Sequence, residues 1–186
     1  LNEVIADMEK MGVGTQVKTL ADYPDIPDVV EDGETFEANA AKKAIEIALR
    51  LGVPVLADDS GLEVDALGGR PGVHSARYGG ADLPHEQKVQ LLLKELADVP
   101  DEKRTARFVC VMAYATPNGK VHTRRGVLEG RINHGPVGDN GFGYDPVFFV
   151  PEKGCTTAQL DSLEKNTISH RGKALREILC LLKTDN

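Results

Sequence analysis

Apolar positions recur along the chain with two periods, and each change of period marks an element. Leu1, Val4, Ile5, Met8 and Met11 follow i, i+3, i+4 spacing, predicting a helix stopped at Gly12. Gln16 to Leu20 is a short strand candidate, followed by a Pro- and Asp-rich connection from Asp22 to Gly33. Phe36, Ala40, Ala44, Ile47 and Leu51 form one stripe, so Thr35 to Leu51 reads as a helix capped by Thr35 and ended by Gly52. Val53 to Ala57 is a short apolar run, the signature of a buried strand. Pro84 opens a second helical stripe of Val89, Leu92, Leu93 and Leu96. From Arg104 to Ala115 the period falls to two, with Ala106, Phe108, Cys110, Met112 and Tyr114 on one face. The other face carries Val109, Val111 and Ala113, so this strand is expected to be central. Pro117-Asn118-Gly119 turns the chain, and Val121 to Leu128 should return antiparallel. Val147 to Val150 is a further strand, and Thr156 to Leu182 reads as two helices broken near Asn166-Thr167. Ser169 is placed to cap the second of these, with Ala174, Ile178 and Leu181 on its buried side.

The 186 residues suit one domain with a sizeable core, expected to span the whole chain as two lobes. A net charge of −7 argues against a general nucleic-acid-binding surface. No apolar run is long enough for a membrane span, and the first residues do not resemble a signal peptide. Cys110, Cys155 and Cys180 form no CxxC pair, which points away from disulfides and zinc and towards a cytoplasmic protein. The five histidines lack zinc spacing too, leaving oxygen-ligated magnesium as the metal that fits.

Candidate chemistry gathers around Ala57 to Gly80, where Asp58 and Asp59 directly follow the apolar run. In α/β sheets ligands collect beyond the carboxyl ends of strands, which is where these acids are expected. Two adjacent carboxylates repel, so a fold that holds them together offers a cation, and magnesium suits aspartate oxygens. A plain turn after a strand explains the same residues. Arg70 and Arg77 sit among Gly68-Gly69, Gly72 and Gly79-Gly80, a permissive loop with donors for phosphate or carboxylate. Glu31, Asp32, Glu34 and Glu37 crowd a helix start, where the dipole favours anions; Asn39 is less explained, and a solvated face is the default reading for Lys42 and Lys43. The second unusual loop, Gly135 to Asp145, matches neither GxGxxG nor a phosphate loop. It presents Phe142 and Tyr144 beside Asp145, aromatics that either stack on a flat ring or enter the core. Lys165, His170, Arg171 and Lys173 concentrate positive charge in an acidic chain.

Several motifs together resemble the inosine triphosphate pyrophosphatase (Ham1-like) family. They are Asp58-Asp59-Ser60-Gly61-Leu62, Leu67-Gly68-Gly69-x-Pro71-Gly72, Ser75-Ala76-Arg77-Tyr78, Phe142-Gly143-Tyr144-Asp145-Pro146 and Ser169-His170-Arg171-Gly172-Lys173-Ala174, with Thr35-Phe36-x-x-Asn39-Ala40 in support. The resemblance implies an elongated α/β fold, a long curved mixed sheet with flanking helices and two lobes around a central cleft, usually as a homodimer. It also implies magnesium-dependent hydrolysis of ITP, dITP and XTP to the monophosphate and pyrophosphate.

By the same resemblance Asp59 is the general base and a metal ligand, with Asp58 beside it and Glu31 assisting, Glu34 being the rival. Ser60 touches substrate, Phe142 stacks on the purine, and Gly143, Tyr144 and Asp145 shape the pocket. Lys165 contacts substrate, and His170 with Arg171 reads the keto-bearing edge of the base. The family also has a strand and a Thr/Ser-Gly-Asn-x-x-Lys loop ahead of the residues matching Leu1-Asn2-Glu3. The sequence is therefore expected to be N-terminally incomplete. Two rival readings stay open, a related pyrophosphatase for other nucleotides and a nucleotide-binding or dimerisation module without catalysis.

Overall fold

Thr35 begins the first helix as the sequence predicts: its side chain accepts from the Ala38 N–H, and α1 (Phe36–Leu51) ends at Gly52 in the left-handed conformation. The computed structural model describes residues 17–184, so the expected helix Leu1–Met11 lies outside the described residues. The expected strand Gln16–Leu20 does not form over its described part, where Leu20 opens a 3-10 turn, Leu20–Asp22.

Five strands form one sheet in sequence order. They are β1 (Val55–Val64), β2 (Thr105–Ala115), β3 (Val121–Ile132), β4 (Phe148–Val150) and β5 (Cys155–Thr156). Among the described residues every pairing is antiparallel, and β2 is central to the long strands as its two apolar faces demand. Helix α2 (His85–Glu95) follows Pro84, and the C-terminal pair is α3 (Ser162–Ile168) and α4 (His170–Thr184). The break between them falls at Ser169 rather than at Asn166-Thr167. Ser169 Oγ accepts from the Gly172 N–H at 3.0 Å, which makes it the cap of α4.

The largest difference from expectation is the extent of β1. The apolar run was expected to end before Asp58, yet the strand continues through Asp58, Asp59, Ser60 and Gly61 to Val64. Asp58 lies opposite Met112 and Asp59 opposite Val111, in the middle of the ladder rather than beyond its end. Pairing with the long partner β2 satisfies these backbone groups, and that overrides the low strand propensity of the Asp-Asp-Ser-Gly sequence. β3 likewise runs past Leu128 to Ile132, because Glu129 pairs with Arg107 and Arg131 stacks on Phe149. Val147 belongs to a 3-10 turn, and the fourth strand starts one residue later.

The sheet is covered on both faces. Phe36, Ala40, Ala44 and Ala48 of α1 pack on Val109, Val111, Ala113 and Ala115; the alanines let the helix axis approach closely. On the other face Ala174, Leu175, Ile178 and Leu179 of α4 meet Cys110 and Met112. Val89, Leu92 and Leu96, in and just after α2, fill the same face further along, with Leu62, Phe108, Leu128 and Phe148. The fully buried Arg104 joins these layers by donating to the Leu96 carbonyl at 2.6 Å and the Ile132 carbonyl at 2.8 Å. Its charge lies at the negative end of α2, where the helix dipole favours it. Among the described residues no helix is long and apolar enough to cross a membrane.

One row decides where α4 can start. Ser60, Cys110 and Gly126 are cross-strand neighbours on three successive strands. At Gly126 an added Cβ would lie 2.0 Å from the His170 carbonyl oxygen and 2.6 Å from the Ala174 nitrogen. Both are backbone atoms of α4 and cannot rotate away. Gly126→Ala is therefore expected to push α4 outward and to lower stability by about 1–3 kcal/mol, a loss of several degrees in Tm. Thermal unfolding followed by circular dichroism measures this, and an unchanged Tm would refute the close contact.

Candidate active site

Successive residues of a strand point to opposite faces, so β1 sends Asp58 and Ser60 towards α4 and Asp59 towards α1. The two aspartates, expected to lie together at a metal, point to opposite faces of β1. Each has its own environment.

On the α1 face Asp59 is 8% exposed. Its Oδ2 accepts from Asn39 Nδ2 at 2.9 Å and its Oδ1 from the Ser60 N–H at 2.9 Å. Asn39 is fully buried, and its Oδ1 accepts from the Gly33 N–H at 2.8 Å, so one amide ties the acidic loop to Asp59. In that loop Glu31 pairs with Lys43 at 3.1 Å, one helical turn beyond Asn39. Burial pushes the Asp59 carboxyl up, helped by the Glu31 charge and opposed by Asn39 and Lys43; the net direction is upward. Asp59 is thus a stronger base than an ordinary aspartate.

On the α4 face Asp58 Oδ2 accepts from Arg171 Nη2 at 3.0 Å and Nε at 3.2 Å, and from Ser60 Oγ at 2.8 Å. Burial alone would raise the Asp58 carboxyl, but the Arg171 charge and these hydrogen bonds hold it below the usual carboxylate range. Cys110 Sγ lies 3.8 Å from the same oxygen, its thiol pushed up to about 12 by burial and by Asp58. His170 stacks on Phe108 with ring centroids 4.9 Å apart, and its Nδ1 is buried without a hydrogen-bond partner. Burial, reinforced by Arg171 and Lys165, drives its pKa down to about 3, so the ring is neutral at physiological pH.

The glycine loop supplies the far wall and divides its aromatics. Phe142 is 65% exposed, whereas Tyr144 is buried and donates to the Ser75 carbonyl at 3.0 Å. Asp145 is buried and holds the loop together, accepting from the Phe142 N–H at 2.7 Å, Thr157 Oγ1 at 2.8 Å and Lys165 Nζ at 2.5 Å. Gly141 lies against that carboxylate with φ +80°, and a Cβ there would be 2.1 Å from Asp145 Oδ2. Lys165 Nζ lies 5.0 Å and Arg171 Cζ 6.0 Å from the Phe142 ring centroid, so the exposed aromatic is flanked by two cations.

These walls enclose one cleft of about 860 Å³ running along β1 from Asp58 to Leu62, within the size range of small-molecule sites. Glu31, Asp58, Asp59, Ser60, Phe142, Tyr144, Asp145, Lys165, His170 and Arg171 all line it. Gly143 and Glu34 do not, which favours Glu31 over its rival. Lys43, Asn140 and Phe108 line it without having been assigned there from sequence. Lys42 pairs outward with Asp32, and of the two neighbouring lysines Lys43 lines the cleft.

Among the described residues no group of three or more histidine, cysteine or acidic side chains converges as a metal cage. Magnesium needs only one or two carboxylates, with water and phosphate oxygens completing its shell. Asp59 and Glu31, whose charges are felt by one another, fit that requirement. Asp58, also expected at the metal, faces α4 and pairs with Arg171.

Residues 1–180 match the Ham1 family. The dITP/XTP pyrophosphatase of Geobacillus kaustophilus is 54% identical over 165 residues, covering 89% of this chain and 81% of that protein. The dITP/XTP pyrophosphatase of Geobacter sulfurreducens is 52% identical over 175 residues, covering 94% and 87%. The solved Ham1 protein of Staphylococcus aureus is similar with a TM-score of 0.90 at 39% identity, covering 98% of this chain and 94% of that one. A nucleoside-triphosphatase / dITP/XTP pyrophosphatase from Mycobacterium abscessus gives a TM-score of 0.80 at 42% identity, covering 97% and 93%.

The neutral, half-buried His170 generates a pH test of this site. In the unfolded chain a histidine takes up a proton near pH 6.5, but the folded ring resists it down to about 3. Below pH 6.5 the unfolded state therefore binds more protons, and the contribution of His170 to stability, complete above that value, is lost as pH falls towards 3. His170→Gln is expected to lose less Tm than the unsubstituted chain between pH 7 and pH 4. Parallel acid limbs for the two proteins would refute the half-buried neutral ring.

Proposed function

Because the chain belongs to the Ham1 family, we propose that it is a nucleoside triphosphate pyrophosphatase acting on deaminated purines. Its substrates are ITP, dITP and XTP, and its products the nucleoside monophosphate and pyrophosphate. The observation that carries this reading is the polarity of the cleft. An exposed aromatic between two cations lies at one part of it, and a buried carboxylate whose pKa is raised by burial, with Glu31 and Lys43, at another.

A purine stacks on the Phe142 ring, which offers a π face without demanding a particular base. Selectivity then falls to Arg171. Its Nε and Nη2 are bound to Asp58 and Ser60, and the guanidinium lines the cleft. A 6-keto oxygen accepts from such a donor, whereas the 6-amino group of adenine presents a donor to a donor, a mismatch of about 1–3 kcal/mol when buried. Neutral His170, stacked beneath on Phe108, adds no second positive charge there. Lys165, held by Asp145, brings positive charge close to the bound nucleotide.

At the other part of the cleft a water attacks the α phosphorus. The new O–P bond forms as the bond from the α phosphorus to the bridging oxygen breaks, and the electron pair leaves with pyrophosphate. Asp59, made more basic by burial, orients this water and accepts its proton. Asn39 holds the carboxylate by one oxygen and fixes its direction. Lys43 balances the negative charge of Glu31 and Asp59. Asp59 and Glu31 would hold magnesium, which when bound neutralises triphosphate charge.

With magnesium and ITP, the expected products are IMP and pyrophosphate, formed with a higher kcat/KM than for ATP. IDP and inorganic phosphate as products would refute this cleavage position. Asp59→Asn should lower kcat by roughly 10²–10⁴-fold while retaining the circular dichroism spectrum. Arg171→Ala should lower the ITP-over-ATP ratio of kcat/KM about tenfold or more, and an unchanged ratio would remove Arg171 from base recognition.

A further inference from the structure

The carboxylate that the sequence pairs with Asp59 has a different task. Resting on the reading that Arg171 meets the base edge, we propose that Asp58 is a positioning residue for purine selectivity, acting through Arg171 together with Ser60, and not a ligand of the metal.

Three contacts close a ring. Arg171 Nη2 donates to Asp58 Oδ2 at 3.0 Å and to Ser60 Oγ at 3.1 Å, and Ser60 Oγ donates back to the same Asp58 oxygen at 2.8 Å. Arg171 Nε adds a further bond to that oxygen at 3.2 Å. Holding two of the three guanidinium nitrogens sets the plane of the group and the direction of the third, Nη1. A guanidinium is rigid and planar, so this geometry passes to Nη1 without loss. The Phe142 ring centroid is 6.0 Å from Cζ, which places the guanidinium beside the stacking surface.

Electrostatics give the second argument. Arg171 occupies the first turn of α4, where the helix dipole disfavours a cation. Asp58 is the anion that holds it there. A metal ion drawing on Asp58 would take that counter-charge from Arg171 and set two cations against one carboxylate. The strand supplies the third. Asp59, Glu31 and Lys43 lie with α1, and alternation along β1 turns Asp58 away from them. Both residues that brace Arg171 come from the same face of one strand, two positions apart.

The test separates base recognition from metal binding. Metal-free calorimetry with IMP and AMP reads selectivity, and Mn²⁺ titration followed by electron paramagnetic resonance reads the metal site. The unsubstituted chain is expected to bind IMP more tightly than AMP. Asp58→Asn should reduce that ratio about tenfold and leave Mn²⁺ affinity within about twofold, whereas Asp59→Asn weakens Mn²⁺ about tenfold or more. Combining Asp58→Asn with Arg171→Ala should cost no more selectivity than Arg171→Ala alone, since both remove one device. Ser60→Ala, which keeps every charge, should reduce the ratio about threefold; it carries the test if circular dichroism shows Asp58→Asn unfolded. An unchanged IMP-over-AMP ratio, an additive double substitution, or Mn²⁺ affinity lost with Asp58→Asn each overturns the proposal. No preference for IMP in the unsubstituted chain would instead overturn the reading of Arg171 on which it rests.

Discussion

Alternation along β1 is the constraint on which the rest of this structure depends. A strand has no choice about sending neighbouring side chains to opposite faces. Two adjacent aspartates in a strand are therefore separated by the sheet itself, one against α1 and one against α4. The cleft runs along β1 and draws on both faces, so a single strand supplies a basic carboxylate to one part and an arginine anchor to the other. Had Asp58 and Asp59 followed the strand, in a turn, both could have turned towards one ion.

The same separation sets their protonation behaviour apart. Desolvation acts upward on both carboxyls, and the partner on each face decides the outcome. A full positive charge with two N–H donors holds Asp58 down. A neutral amide and a lysine shared with Glu31 leave Asp59 raised. Pairs of titratable groups pushed apart by their surroundings mark acid–base sites, and here the divergence arises within one dipeptide.

Packing makes these contacts possible. The row Ser60–Cys110–Gly126 is a trough of small residues on three strands, and the first turn of α4 lies in it. A side chain at Gly126 would press on the backbone of His170 and Ala174, on either side of Arg171. Buried polarity is matched in the same way across the cleft. Asp145 accepts from a backbone N–H, a hydroxyl and an ammonium, which ties its loop down where Phe142 stays exposed. A buried carboxylate with fewer donors would cost more than the loop could offset.

Elements whose causes lie within a few residues were legible in the sequence. The helix from Phe36 to Leu51 carried its cap, stripe and stop, Ser169 announced the start of the last helix, and period two marked the central strand. The motif residues of the cleft were legible too, because glycine loops and clustered charge are local patterns. The extent of β1 was not, since pairing with β2, some fifty residues away, decides where that strand ends. Nor was the partner of Asp58, which lies 113 residues further along the chain. Local propensity acts along the backbone, whereas the face of a strand, the partner of a charge and the basicity of a carboxylate depend on what packs against it through space. Sequence alone therefore determined which groups this protein possesses, and tertiary structure decided that Asp58 meets an arginine while burial raises the Asp59 carboxyl, because the two point to opposite faces of the sheet.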